Sequence, residues 1–152
     1  MTQDWSTVPI PGSYDDLYKY YGDPRQPGFE AKYIVTQAHQ VGGRMVNIPC
    51  HVAAQERLHL VFADLIAEGN IGLLETFDGS FAIRPIRGAS NPSLHSWGLA
   101  FDFNAAKNPL GAKPTMPAAV VAAFKRHGFA WGGEFHGRPD GMHFQLTIPH
   151  TI

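Results

Sequence analysis

The sequence predicts a single domain that mixes helices with short strands, and three patterns predict it. Two segments carry apolar residues at helical spacing, two others alternate apolar and polar residues, and a β-rich pair flanks Gly42-Gly43. With 152 residues, 44% of them hydrophobic, the chain can bury one core of ordinary size. Twelve Pro and sixteen Gly lack any repeat period, so they predict ordered loops rather than a fibrous or disordered chain.

Residues 1–30, rich in Pro, Gly and Tyr, read as an N-terminal arm, with a short helix over Tyr14 to Tyr21 stopped by Gly22. Residues 31–37 and 44–49 have the β-branched and aromatic content of strands, and Gly42-Gly43 between them suits a tight turn. From His51 to Glu68 the apolar residues Leu58, Val61, Phe62, Leu65 and Ile66 form one helical stripe that Gly69 ends. A second helix is expected from Pro117 to His127, capped by Thr115, with Val120, Val121 and Phe124 inward and Gly128 closing it. Both helices read as structural.

The alternating segments are different. Leu99, Phe101 and Phe103 share one face of a strand, which puts Asp102 and Asn104 on the other. Met142, Phe144, Leu146 and Ile148 likewise alternate with His143, Gln145 and Thr147. If the two strands are neighbours in one sheet, Asp102 and His143 point into the same space.

Composition excludes several function classes. A formal net charge of -1 offers no basic surplus for nucleic acid, and no run of eighteen apolar residues predicts a membrane span. The N-terminus lacks a basic region followed by an apolar core, so synthesis in the cytoplasm without a signal peptide is expected. The single cysteine, Cys50, excludes an internal disulfide and a thiolate-rich metal site, and it reads as a small buried side chain. A metal here must rest on imidazole and carboxylate.

His95 lies seven residues before Asp102, with Gly98 between them to turn the chain from loop into strand. The two can converge on one cation, and His143 would complete a set of two imidazoles and one carboxylate. Three protein ligands with an open fourth position is the arrangement of a catalytic zinc. Asp140, three residues before His143, can lie near such an ion without binding it, ready to take a proton from water and pass it to a leaving amine. The helical pattern H-E-x-x-H is absent, so the chemistry must come from loops and strands.

The run Ser93-x-His95-x-x-Gly98-x-Ala100-x-Asp102 resembles the signature of a group of zinc peptidases. The group comprises D-alanyl-D-alanine carboxypeptidases, vancomycin-resistance dipeptidases and phage L-alanyl-D-glutamate endopeptidases. The later Gly128-Phe129-x-Trp131-Gly132-Gly133 and Asp140-Gly141-Met142-His143-Phe144 are similar to the phage, endolysin-like branch, where the acid before the final His is often Asp. The resemblance spans about residues 80–146. It implies a hedgehog/DD-peptidase-like α+β fold with helices packed on a small antiparallel sheet. It also implies one zinc ion on His95, Asp102 and His143, with Asp140 as the base. It further implies an arginine upstream of the first His that steadies the substrate carbonyl and the developing oxyanion. Arg84 is favoured for that role, because alternation puts it opposite Phe81 and Ile83, and Arg87 then suits a substrate carboxylate. Gln145 stands where the phage branch often has Glu, which should leave the ligand set intact.

The function so implied is hydrolysis of peptidoglycan stem peptides, as an L-alanyl-D-glutamate endopeptidase. The alternatives are a D,D- or L,D-carboxypeptidase, or a non-catalytic zinc-binding module of the hedgehog type. A monomer that reaches the wall after release, with a holin or an export system as partner, is the corresponding expectation. Around the site, Ser93 can donate to substrate or cap a turn. Trp97 and Trp131 can stack on substrate or pack in the core. Glu134 is the rival to Asp140, and His136 suits a surface loop. His39, His51, His59, His127 and His150 read as ordinary polar or core residues.

Overall fold

A computed structural model describes Trp5, residues 8–83 and residues 92–147. Ser13 opens the first helix, α1 (Tyr14–Tyr21), by accepting from Asp16 N, and Gly22 ends it at φ 80°. The next helix, α2 (Phe29–Tyr33), corrects the expectation of a strand beginning at residue 31. Phe29 and Tyr33 lie four residues apart with ring centroids 5.2 Å apart, so the local period is that of a helix turn. The chain then forms the expected hairpin, β1 (Ile34–Val41) with β2 (Arg44–His51), antiparallel throughout. Gly42 and Gly43 turn it at positive φ, 63° and 80°, the requirement of a two-residue turn that follows strand twist.

Helix α3 (Val52–Ala67) buries Leu58, Val61, Phe62 and Leu65 as its spacing predicts. Ile66, counted in the same stripe, is instead 55% exposed. At about 100° per residue it lies some 80° round the helix from Leu58, beyond the buried face. Helix α4 (Ala118–Arg126) packs beside α3 with Val120, Ala123 and Phe124 inward. Pro117, not Thr115, stands at its N-cap, and no side chain caps it there. Thr115 Oγ1 donates to Lys107 O at 2.7 Å instead.

Four short strands form the second sheet: β3 (Phe77–Gly79), β4 (Ala100–Phe103), β5 (Ala130–Trp131) and β6 (His143–Gln145), in the order β3-β4-β6-β5 with every pair antiparallel. The fold is thus α+β, small antiparallel sheets packed with helices. Phe101, Phe103 and Phe144 carry the inner face, where Phe144 stacks on Phe124 of α4 at 3.9 Å. The outer alternates of β4 and β6 meet as expected: Asp102 is directly opposite His143. Asn104 does not join them. It leaves the strand at φ 54°, accepts from Glu75 N and Thr76 N, and donates to Leu73 O, which ties the β3 approach to β4. Among the described residues no helix is long and apolar enough to cross a membrane.

Two histidines belong to the core. His39 stacks on Phe62 at 4.3 Å, and burial, with some help from His59, pushes its pKa down to about 4. His51 accepts from Ala53 N to cap α3 amid Trp5, Tyr21, Phe29 and Tyr33, and burial pushes its pKa down to about 3. Cys50 is buried too, its thiol pushed up to about 12.

Gly98 binds the hairpin to the second sheet. At φ 73° it accepts at its carbonyl from His51 N, and a Cβ there would lie 2.6 Å from that same nitrogen. Gly98→Ala is expected to cost about 2–5 kcal/mol, from the left-handed backbone plus the clash. Equilibrium urea unfolding reads this, and an unchanged midpoint would refute it. Acid adds a second test. Both core histidines are depressed below the unfolded value of 6.5. The unfolded chain therefore takes up protons that the native one refuses, and stability is lost as pH falls from 6.5 towards 4. Within that window each group contributes up to about 1.4 kcal/mol per pH unit. His39→Phe should flatten the slope by up to that amount, and an identical slope in the variant would contradict the account.

Candidate metal centre

His95 is presented by a turn of 3-10 helix over Leu94–Trp97. Ser93 begins that turn, its hydroxyl accepting from His95 N at 3.2 Å. Trp97 ends it, fully buried, with Tyr14 and Tyr18 of α1 against its ring and its indole N–H donating to Gly22 O at 3.1 Å. The His95 ring is held at its far side. Nδ1 lies 2.7 Å from Ser80 O, and a carbonyl only accepts, so Nδ1 carries the proton and Nε2 presents a lone pair. That Nε2 is buried with no hydrogen-bond partner and lies 3.3 Å from Asp102 Oδ2.

The β4–β6 register supplies the other two groups. His143 Nδ1 is 3.1 Å from Asp102 Oδ1, while His143 Nε2 is 2.8 Å from Gln145 Oε1. One atom from each of His95, Asp102 and His143 falls within 4.8 Å of the others. Exposures of 3%, 9% and 9% leave only a narrow opening to solvent. Burial works against charge on Asp102, but the two imidazoles beside it, His143 and then His95, outweigh it and hold the carboxyl well below its usual range. Burial likewise opposes charge on His143, yet Asp102, then Asp140 and Gln145, raise it above an ordinary histidine.

This donor set fits a divalent transition ion. Zinc bonds of about 2.0–2.2 Å to nitrogen and oxygen put tetrahedral ligand atoms roughly 3.4 Å apart. The two closest contacts, 3.1 and 3.3 Å, match that spacing. Each imidazole has its other nitrogen engaged by an oxygen, the support that orients a histidine ligand and sets its tautomer.

Asp140 adjoins the trio, its Oδ2 3.9 Å from His143 Nδ1. Its loop is closely held. Asp140 N donates to Gly132 O at 2.8 Å, His143 N donates to Asp140 O at 3.1 Å, and Trp131 Nε1 donates to Gly141 O at 2.9 Å. A Cβ on Gly132 would come within 2.3 Å of Asp140 O, so the two glycine-bearing loops can approach only as they are. Trp131 is half-buried against the core.

Of the other candidates, Glu134 turns to Lys125 Nζ at 2.6 Å and His136 is exposed. His127 pairs with Asp64 at 2.7 Å, and His59 is exposed on α3. Arg84, Arg87 and His150 lie outside the described residues. Two contributors went unforeseen. Ser80 acts through its backbone carbonyl, which residue type does not signal. Gln145 departs from the resembled pattern, but nothing in the sequence signals its contact with His143.

Searches of curated proteins and of solved structures return no match. The family model described as D-alanyl-D-alanine carboxypeptidase matches residues 87–146, a stretch that contains His95, Asp102, Asp140 and His143. The match supports a peptidase, and over that stretch the chain is similar to the D-alanyl-D-alanine carboxypeptidases.

Proposed function

We propose that the chain is a zinc-dependent peptidase acting on peptidoglycan stem peptides, with one ion held by His95 Nε2, Asp102 and His143 Nδ1. The observation that carries this reading is the convergence of acceptor atoms from two oriented imidazoles and a carboxylate on one small volume. The family match over the same residues supports it independently.

A bound zinc ion supplies Lewis acidity, polarising a carbonyl and lowering the pKa of water to roughly 7. The chain's own part is proton handling and positioning. Asp140, its Oδ2 3.9 Å from His143 Nδ1, takes a proton from the attacking water and returns it to the leaving amine. Arg84 is the proposed support for the developing oxyanion, with Arg87 the alternative. Whichever remains suits contact with the substrate peptide, a role proposed for Ser93 and Trp131 as well.

Within this reading we favour cleavage between L-Ala and D-Glu, because the acid before the last histidine is Asp140, as in the phage-type motif. Removal of terminal D-Ala is the second reading, favoured by the description of the matching family. Action on the wall after release from the cytoplasm, by a monomer with a holin or export system as partner, completes the proposal.

Metal analysis of purified protein should find about one zinc per chain, and digestion of defined muropeptides with mass identification should show which bond breaks. Free D-Ala as sole product would replace the endopeptidase with a carboxypeptidase. Intact substrates throughout would leave a binding module. Asp140→Asn should lower turnover by about 10²–10⁴-fold while metal content stays unchanged. Undiminished turnover in that variant would remove Asp140 from the mechanism.

A further inference from the structure

We propose that Gln145 is a positioning residue that fixes the tautomer of His143 and thereby sets the affinity of the site for its ion. The inference rests on the reading of His143 as a ligand and extends it to a residue that touches neither ion nor substrate.

Gln145 is 1% exposed and two residues from His143 on the same strand face. Its Nε2 donates to Thr147 O at 2.8 Å. That carbonyl can only accept, so the amide nitrogen must face it and Oε1 must face the other way, towards His143. Oε1 in turn can only accept. The His143 Nε2 beside it, at 2.8 Å, must therefore carry a proton, which leaves Nδ1 as the nitrogen whose lone pair is available to an ion. Thr147 is held as well, since its hydroxyl donates to Pro11 O in the N-terminal segment. The proton on one histidine nitrogen is thus dictated by a chain of groups with no freedom to swap roles.

Nδ1, 3.1 Å from Asp102 Oδ1, is then the nitrogen that can exchange a proton for a cation, and the His95 Nε2 lone pair lies 3.3 Å from Asp102 Oδ2. A cation among them can bond to all three. An amide suits position 145 better than a carboxylate. Glu would still accept from His143 but would set a second oxygen against Thr147 O, with no donor between them. Met, of similar length, would accept nothing of use and release the ring.

Zinc affinity measured by competition with a chromophoric chelator should therefore rank Gln145 above Gln145→Glu and Gln145→Met last, with Met about 10–100-fold weaker than the parent. Imidazole nitrogen shifts of the zinc-loaded parent protein should show His143 protonated at Nε2 and metallated at Nδ1, a readout independent of whether any variant folds. Metallation at Nε2 would overturn the proposal. So would a folded Gln145→Met, confirmed by circular dichroism, that binds zinc within about twofold of the parent. His143→Ala separates the two levels. If it binds zinc like the parent, the ligand reading itself falls; if it loses the ion while Gln145→Met keeps it, only the role of Gln145 falls.

Discussion

The antiparallel pairing of β4 with β6 is the constraint on which the rest of the molecule turns. Setting Asp102 opposite His143 determines at once which residues face the core and which face the cleft. A slip of one residue in either strand would turn that strand's phenylalanine, Phe101 or Phe144, away from the core and its polar partner, Asp102 or His143, away from the other. The stack of Phe144 on Phe124 therefore guards the chemistry as much as the core, because the register that buries one aligns the other.

Much of this was legible in residue spacing. Period-2 alternation around Phe101 and Phe144 identified two strands and their polar faces, and the stripe through Leu58, Val61, Phe62 and Leu65 identified α3. The hairpin turn at Gly42-Gly43 was equally plain. What escaped was of two kinds. Very short elements carry too few residues to show a period: β5 has two residues, β3 has three, and five-residue α2 was mistaken for the start of a strand. Contacts made by backbone atoms leave no mark on residue type. The Ser80 carbonyl behind His95 is one, and the preference of Thr115 for Lys107 O over α4 is another.

The candidate site was legible for a different reason. His95, Asp102, Asp140 and His143 fall in two runs that resemble a known signature, and strand phase sets Asp102 and His143 on polar faces. The supporting groups are ordinary by type and acquire meaning only through geometry. Ser80 and Gln145 each direct one polar atom at the ring of a histidine, whereas Ser93 caps the turn before His95, one of the two readings its place in the sequence offered.

The indole of Trp97 carries a consequence for anyone shortening this protein. Two residues after His95, it leans on Tyr14 and Tyr18 and is tethered to the carbonyl of Gly22. The opening helix is therefore a buttress for the turn that carries His95. Trimming the chain to the stretch that is similar to the D-alanyl-D-alanine carboxypeptidases would keep every candidate ligand and discard the wall against which one of them is braced.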